Sequence, residues 1–126
     1  MRAVTTGTAA FALGIQKKDL DNILSRYPVR GFERGKQGLS RRLSLASIEQ
    51  VAIAIDLSRD YSIPIPTALI LAEEALGSRE GVIPSPGGHL ALHVDVERIR
   101  RDIQVKLTDA IEYIIPPRRG RPPVRS

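Results

Sequence analysis

Gly14 divides the stretch from Thr5 to Tyr27 into two short segments, and each is long enough for only a few helical turns. Both segments carry apolar residues: Ala9, Ala10, Phe11 and Leu13 before the glycine, and Leu20, Ile23 and Leu24, which recur at helical spacing, after it. Glycine adopts the left-handed conformation that ends a helix at low steric cost. The stretch therefore predicts two short helices joined by a tight turn. Thr6 or Thr8 is expected to cap the first, and Gln16 to open the second.

Two short helices joined at a glycine form the helix-turn-helix pattern, in which the start of the second helix enters the major groove of DNA. Glutamine and asparagine side chains suit adenine, and lysine suits guanine or a phosphate. The candidate DNA contacts on the second helix are Gln16, Lys17, Lys18, Asn22 and Arg26. The alternative is a small helical hairpin with a purely structural role.

A basic segment punctuated by glycines follows Pro28, which is expected to end the second helix. The glycines are Gly31, Gly35 and Gly38, and the cations are Arg30, Arg34, Lys36, Arg41 and Arg42. Such a segment predicts a β-hairpin or an extended loop. A basic hairpin beside a helix-turn-helix is called a wing, and its cations would hold phosphates. A flexible basic surface loop is the alternative.

Two longer helical patterns come next. Ser44 is predicted to cap the first, which is expected to end between Ser58 and Asp60. The first helix has a strong apolar face made by Leu45, Ile48, Val51, Ala52, Ile55 and Leu57. Residues 61–66 are predicted to be non-helical, because Pro64 and Pro66 restrict the residues before them. Pro66 or Thr67 is expected to start the second helix, and Gly77 to close it.

From Thr5 to Leu76 the order of these elements resembles the MerR-type winged-helix regulators. In that family a helix-turn-helix is followed by a wing and two helices, and the wing ends in an arginine-rich segment. The passage GLSRRLSLASIEQVAIAIDLSRDYSIPIPTALILAEEAL resembles this part of the family, with Arg42 at about the position of a wing arginine. The resemblance implies a winged helix-turn-helix domain over residues 1–77, double-stranded DNA as the partner and a role in transcription regulation.

The rest of the chain divides into a connection and a helix. Residues 78–94 are rich in proline and glycine, and residues 81–83 are predicted to pair with Leu90–Val94 around a turn at Pro86, Gly87 and Gly88. Residues 95–115 carry the longest helical pattern, with Val96, Ile99, Ile103, Leu107, Ala110, Ile111 and Ile114 on one face. This helix is expected either to pack on the chain's own core or to form the seam of a homodimer. A homodimer is favoured because most helix-turn-helix proteins read two-fold sites.

Residues 116–126, PPRRGRPPVRS, are predicted to form a disordered tail, because they cannot build a core. The tail resembles an AT-hook, in which a glycine lets the backbone sit deep in the minor groove between flanking arginines. The resemblance implies DNA contacts for Arg118, Arg119, Gly120 and Arg121. A basic tail that binds phosphates without sequence preference is the alternative.

The charges are unevenly distributed along the chain. The formal charge is +6 over residues 1–43, −6 over residues 44–97 and +5 over residues 98–126. Basic surfaces concentrate polyanions such as DNA, whereas an acidic surface does not. Three ordinary solvated faces are the alternative, although the first basic block coincides with the helix-turn-helix candidate.

The sequence carries few features that would indicate an enzyme, a metal-binding protein or a membrane protein. The absence of cysteine excludes disulfides and thiolate metal sites, and no apolar run is long enough to span a bilayer. His89 and His93 have no accompanying ligand set, and no catalytic constellation stands out. We therefore do not expect an enzyme, and we expect no metal, cofactor or membrane partner. The protein is expected to be cytoplasmic and associated with the nucleoid.

The sequence thus predicts a mainly α fold: a winged helix-turn-helix with a small β-hairpin wing, a further short strand pair and a long C-terminal helix. The predicted function is sequence-specific DNA binding by a transcriptional regulator. Two alternatives stay open: a non-specific architectural DNA-binding protein, and a protein-interaction adaptor whose helix-turn-helix is only structural.

Overall fold

The computed structural model describes residues 3–32 and 42–114, the last three of them by their backbone only. Within these ranges the chain forms five helices and two short antiparallel strand pairs, which confirms the mainly α fold. In chain order the elements are β1 (Val4–Thr5), α1 (Thr6–Leu13), α2 (Lys17–Arg26), β2 (Arg42–Leu43), α3 (Leu45–Tyr61), α4 (Ile65–Gly77), β3 (Val82–Pro84), β4 (Ala91–His93) and α5 (Val96–Ile114). None of these helices combines the length and the apolar composition that crossing a bilayer requires.

The cap of α1 differs from the prediction. Thr5 caps this helix, because its Oγ1 accepts a hydrogen bond of 3.3 Å from the backbone N–H of Thr8. The expected caps, Thr6 and Thr8, both lie inside α1. Thr5 ends strand β1, and its extended backbone is the conformation that an N-cap residue needs.

The turn between α1 and α2 follows the prediction closely. Gly14 adopts the left-handed conformation, with φ at 75°, and ends α1. The backbone N–H of Ile15 then donates to the carbonyl of Ala10 at 3.1 Å, which completes a Schellman-type ending of the helix. Gln16 has extended backbone geometry and precedes the first helical residue of α2, Lys17.

The break between α3 and α4 is shorter than the prolines suggest. Helix α3 continues through Tyr61, just beyond its expected end at 58–60, because Ser62 takes the left-handed cap position at φ 59°. Helix α4 already starts at Ile65, with Pro66 in its first turn. The prediction that residues 61–66 are non-helical is therefore wrong at three positions. Proline fits the first turn of a helix, since the N–H it lacks would have no helical partner there.

The hairpin between α4 and α5 confirms the predicted strand pair. Ile83 lies opposite Leu92 in the register of β3 and β4. The backbone N–H of Gly88 donates to the carbonyl of Ser85 at 2.9 Å, so the turn falls where the prolines and glycines indicated it. This hairpin packs against α4.

Helix α5 packs on the core of its own chain. It lies against α1 and α3 and buries Ile103, Leu107 and Ala110 there. This packing confirms that α5 packs on the core of its own chain, although Ile111 of the predicted apolar face stays exposed. A salt bridge of 3.2 Å joins Arg100 of α5 to the buried carboxylate of Glu49 on α3, a contact that was not predicted.

Candidate nucleic-acid interface

Helix α2 presents its predicted DNA contacts on the surface. Leu20 and Leu24 are fully buried and hold this helix against the core. The predicted contacts are all exposed: Gln16, Lys17, Lys18, Asn22 and Arg26. Lys18, Asn22 and Arg26 follow one another at four-residue steps, which places them along one stripe of the helix surface. We call these three residues the α2 stripe.

The two adjacent lysines of α2 have different surroundings. The Nζ of Lys17 lies 3.0 Å from the Oδ2 of Asp21, one helical turn further along. Within residues 3–32 and 42–114, no carboxylate pairs in this way with Lys18. Lys18 therefore offers an uncompensated positive charge, whereas the charge of Lys17 is offset by its neighbour. Arg26 likewise pairs with no carboxylate in that part of the chain.

Arg30 follows α2, and its backbone is held by two buried side chains of α3. The backbone N–H of Arg30 donates to the Oε1 of Gln50 at 2.8 Å. Its carbonyl accepts a hydrogen bond of 2.6 Å from the Oγ of Ser47. The amide nitrogen of Gln50 also donates to the carbonyl of Leu69 on α4 at 2.9 Å. The side chain of Arg30 stays exposed while both polar groups of its backbone are fixed.

Gly31 brings the chain close to the start of α3. Its φ is 73°, and a Cβ atom at this position would lie 2.5 Å from the Oγ of Ser44. That hydroxyl cannot simply turn away, because it caps α3 by accepting a hydrogen bond from the backbone N–H of Ser47. Glycine is therefore required at position 31 by both the backbone conformation and the close contact.

Arg42 lies on strand β2, directly before the cap of α3. This strand pairs with β1, so that Thr5 lies opposite Arg42, and Val4 opposite Leu43. Leu43 is fully buried and Arg42 is exposed, as the alternation along a strand requires. The pairing places Arg42 beside the start of α1. The sequence did not indicate this partner, because the predicted wing hairpin would have been formed within the basic segment itself.

The described residues on either side of the segment 33–41 are thus fixed near the N-terminus of α3. The contacts of Arg30 and Gly31 hold the end at residue 32, and the pairing of β1 with β2 holds the end at residue 42. Several predicted contacts lie outside the described residues: Arg34, Lys36, Arg41, Arg118, Arg119, Gly120 and Arg121. The structure therefore places the α2 stripe and the two arginines that flank the segment.

Two residues that fix this arrangement, Ser47 and Gln50, were not predicted from the sequence. Both are polar, yet they lie at buried positions of α3, as Glu49 also does. Buried polar side chains are nearly always hydrogen-bonded, so a glutamine within an apolar pattern was a signal that could have been used.

Comparisons of the chain with protein-family models, with curated proteins and with solved structures found no match.

Proposed function

We propose that this protein is a sequence-specific DNA-binding transcriptional regulator that inserts α2 into the major groove. The α2 stripe is the observation that carries this function. It combines an amide side chain that can read adenine with cations that can bind guanine or phosphates. Leu20 and Leu24 fix the opposite face of the helix, so the stripe is presented by a rigid element rather than by a loop.

In this function, the segment 33–41 serves as a wing. Its anchored ends support this role, because a phosphate-binding loop must be held in register with the helix that reads the bases. Arg30 and Arg42 flank the segment and are exposed, and they would bind phosphates together with Arg34, Lys36 and Arg41. The arginines of the tail, at 118, 119 and 121, would add a contact in an A·T-rich minor groove.

The winged helix-turn-helix fold of the MerR type is part of the same proposal. Its basis is the order of α1, α2, the basic segment, α3 and α4, together with the arginines before α3. Two copies are expected to bind one site, because helix-turn-helix proteins commonly read two-fold sequences. Because Ile103, Leu107 and Ala110 of α5 are buried within the chain, the contact between copies would use other residues or form on DNA.

A non-specific architectural protein is the second candidate, and the charge distribution favours it. The two basic ends of the chain, +6 and +5, would bind any duplex. Titrating the full chain with random-sequence and A·T-rich duplexes over a range of salt concentrations separates the candidates. A regulator prefers some duplex by about a thousandfold, whereas an architectural protein shows a steep salt dependence with little preference. Absence of binding at low salt would exclude both.

The pairing of Lys17 with Asp21 predicts that removing the acidic partner strengthens DNA binding. Asp21→Asn is expected to raise the affinity for any duplex by about threefold to tenfold, because it removes a negative charge from the proposed interface and releases Lys17 for a phosphate. Lys17→Ala is expected to weaken binding by less than Lys18→Ala, since the charge of Lys17 is already offset. Fluorescence anisotropy with a labelled random duplex measures these changes.

Asp56→Asn is the matched control for this series, because Asp56 forms a similar surface pair with Arg59 on α3, outside the proposed interface. It changes the net charge of the chain by the same amount. Equal effects of Asp21→Asn and Asp56→Asn would mean that only the net charge matters and that α2 has no special place in binding.

A further inference from the structure

An apolar cavity lies on the acidic part of the chain, between α4 and the β3–β4 hairpin. Its volume is about 470 Å³, and it opens to solvent. Ile63 lines it from the turn that joins α3 to α4, Leu71 from α4, and Ile83 and Leu92 from the hairpin. None of the proposed DNA contacts that the structure describes lines this cavity, so it needs an explanation of its own.

The fold gives this cavity few polar groups. Ile83 and Leu92 are cross-strand partners, so both side chains lie on the same face of the hairpin. Pro84 and Pro86 also line the cavity, and proline has no backbone N–H to offer. Ser85 is engaged within the turn, where its hydroxyl accepts a hydrogen bond from the backbone N–H of Leu90 at 3.2 Å. A ligand would therefore meet an almost entirely apolar wall.

Glu74 is the only charged residue that lines the cavity within the described part of the chain. No Lys, Arg or His side chain there forms an ion pair with its carboxylate. The surrounding block of residues 44–97 carries a charge of −6, which raises the local concentration of cations and lowers that of anions. An apolar wall and one carboxylate without an ion-pair partner are complementary to a ligand that has an apolar body and a positive charge.

We propose that this cavity binds a small amphipathic cation, with an ammonium group at Glu74 and an apolar body against Leu71 and Leu92. The volume of about 470 Å³ lies within the range of about 300–1,000 Å³ that is usual for small-molecule sites. This binding activity is independent of the proposed DNA binding. Because Glu74 is itself exposed, the apolar body supplies most of the affinity, and the charge supplies the selectivity.

Three probes that share one apolar body test this site: 4-phenylbutylamine, 4-phenylbutanol and 4-phenylbutyrate. Each is titrated into the full chain while the amide and methyl resonances are followed by NMR. The amine is expected to bind with a dissociation constant on the order of 1 mM and to shift the resonances of Leu71 and Leu92. It should bind about fivefold more tightly than the alcohol, and the acid should bind more weakly than both.

Two neighbouring glutamates provide a matched pair of variants. Glu74→Gln is expected to abolish the preference for the amine over the alcohol. Glu73→Gln removes the same charge from the next residue of α4, which does not line the cavity, and should leave the preference unchanged. Both residues are exposed, so neither change threatens folding.

Several outcomes would overturn the proposed site. The site would be excluded if the amine and the alcohol bound equally well, or if no probe bound. It would also be excluded if Glu74→Gln and Glu73→Gln lowered the preference for the amine equally. If the resonances of Leu71 and Leu92 shift with protein concentration in the absence of a probe, the cavity is filled by a second copy of the chain. The NMR titrations measure ligand binding at the cavity directly. Their result therefore does not depend on whether the protein binds DNA.

Discussion

Replacing Gln50 with Leu is expected to lower the free energy of unfolding by about 2 kcal/mol, because it leaves the backbone N–H of Arg30 without its partner and removes a second hydrogen bond to the carbonyl of Leu69. The side chain of Gln50 is almost completely buried and bridges the backbone N–H of Arg30 and the carbonyl of Leu69. Leucine has a similar volume, so the loss reflects hydrogen bonding more than packing. Urea denaturation followed by circular dichroism measures the change.

The same substitution at an exposed glutamine provides the control. Gln104 lies on the exposed face of α5, and Gln104→Leu is expected to change the stability by no more than about 0.5 kcal/mol. If Gln50→Leu also stays within this range, the two hydrogen bonds of Gln50 do not hold the segment after α2. The proposal that Arg30 is fixed against α3 and α4 at the start of the wing would then lose its main support.

The double variant Lys18→Ala with Asn22→Ala is expected to bind the preferred DNA sequence about 100-fold more weakly. A well-placed contact to a base contributes about 1–3 kcal/mol of discrimination, and both residues lie on the α2 stripe. Binding to a random duplex should fall by much less, since only one positive charge is removed. Anisotropy titrations with the two duplexes at one salt concentration give both values.

Arg59→Ala is the control for the lost charge of Lys18. Arg59 is an exposed cation near the end of α3, in the acidic part of the chain, and its substitution should leave both affinities nearly unchanged. An equal loss on the preferred and the random duplex in the double variant would mean that α2 binds only phosphates. The architectural function would then be favoured over the regulator.

Local backbone chemistry explains why many elements could be predicted from the sequence. The left-handed conformation of Gly14 and the cap provided by Ser44 depend on residues within one helical turn. The hairpin turn before Leu90 is likewise specified by its own prolines and glycines. Such features need no knowledge of the tertiary structure. The break between α3 and α4 is shorter than predicted because α3 runs through Tyr61 and α4 already begins at Ile65. Ile65 was expected to stay extended before Pro66, although a proline in the first helical turn is compatible with a helical residue before it.

Contacts between distant parts of the chain could not be predicted in this way. Strand β1 pairs with β2 across the whole helix-turn-helix candidate, and each strand has only two residues, which is too short for a recognisable alternation. The bonds from Gln50 to Arg30 and Leu69 also join separate elements. At the candidate site, the sequence indicated which side chains could contact DNA, whereas the structure shows what fixes the backbone of Arg30.

The most direct test of the central claim is a selection of bound sequences from a random DNA pool with the full chain. We expect enrichment of one sequence that is bound about a thousandfold more tightly than random DNA, and loss of this enrichment in the Lys18→Ala, Asn22→Ala variant. A two-fold symmetric sequence would also show that two copies bind together. Failure to enrich any sequence would contradict the account, as would an enrichment that depends on Arg121 of the tail and not on α2.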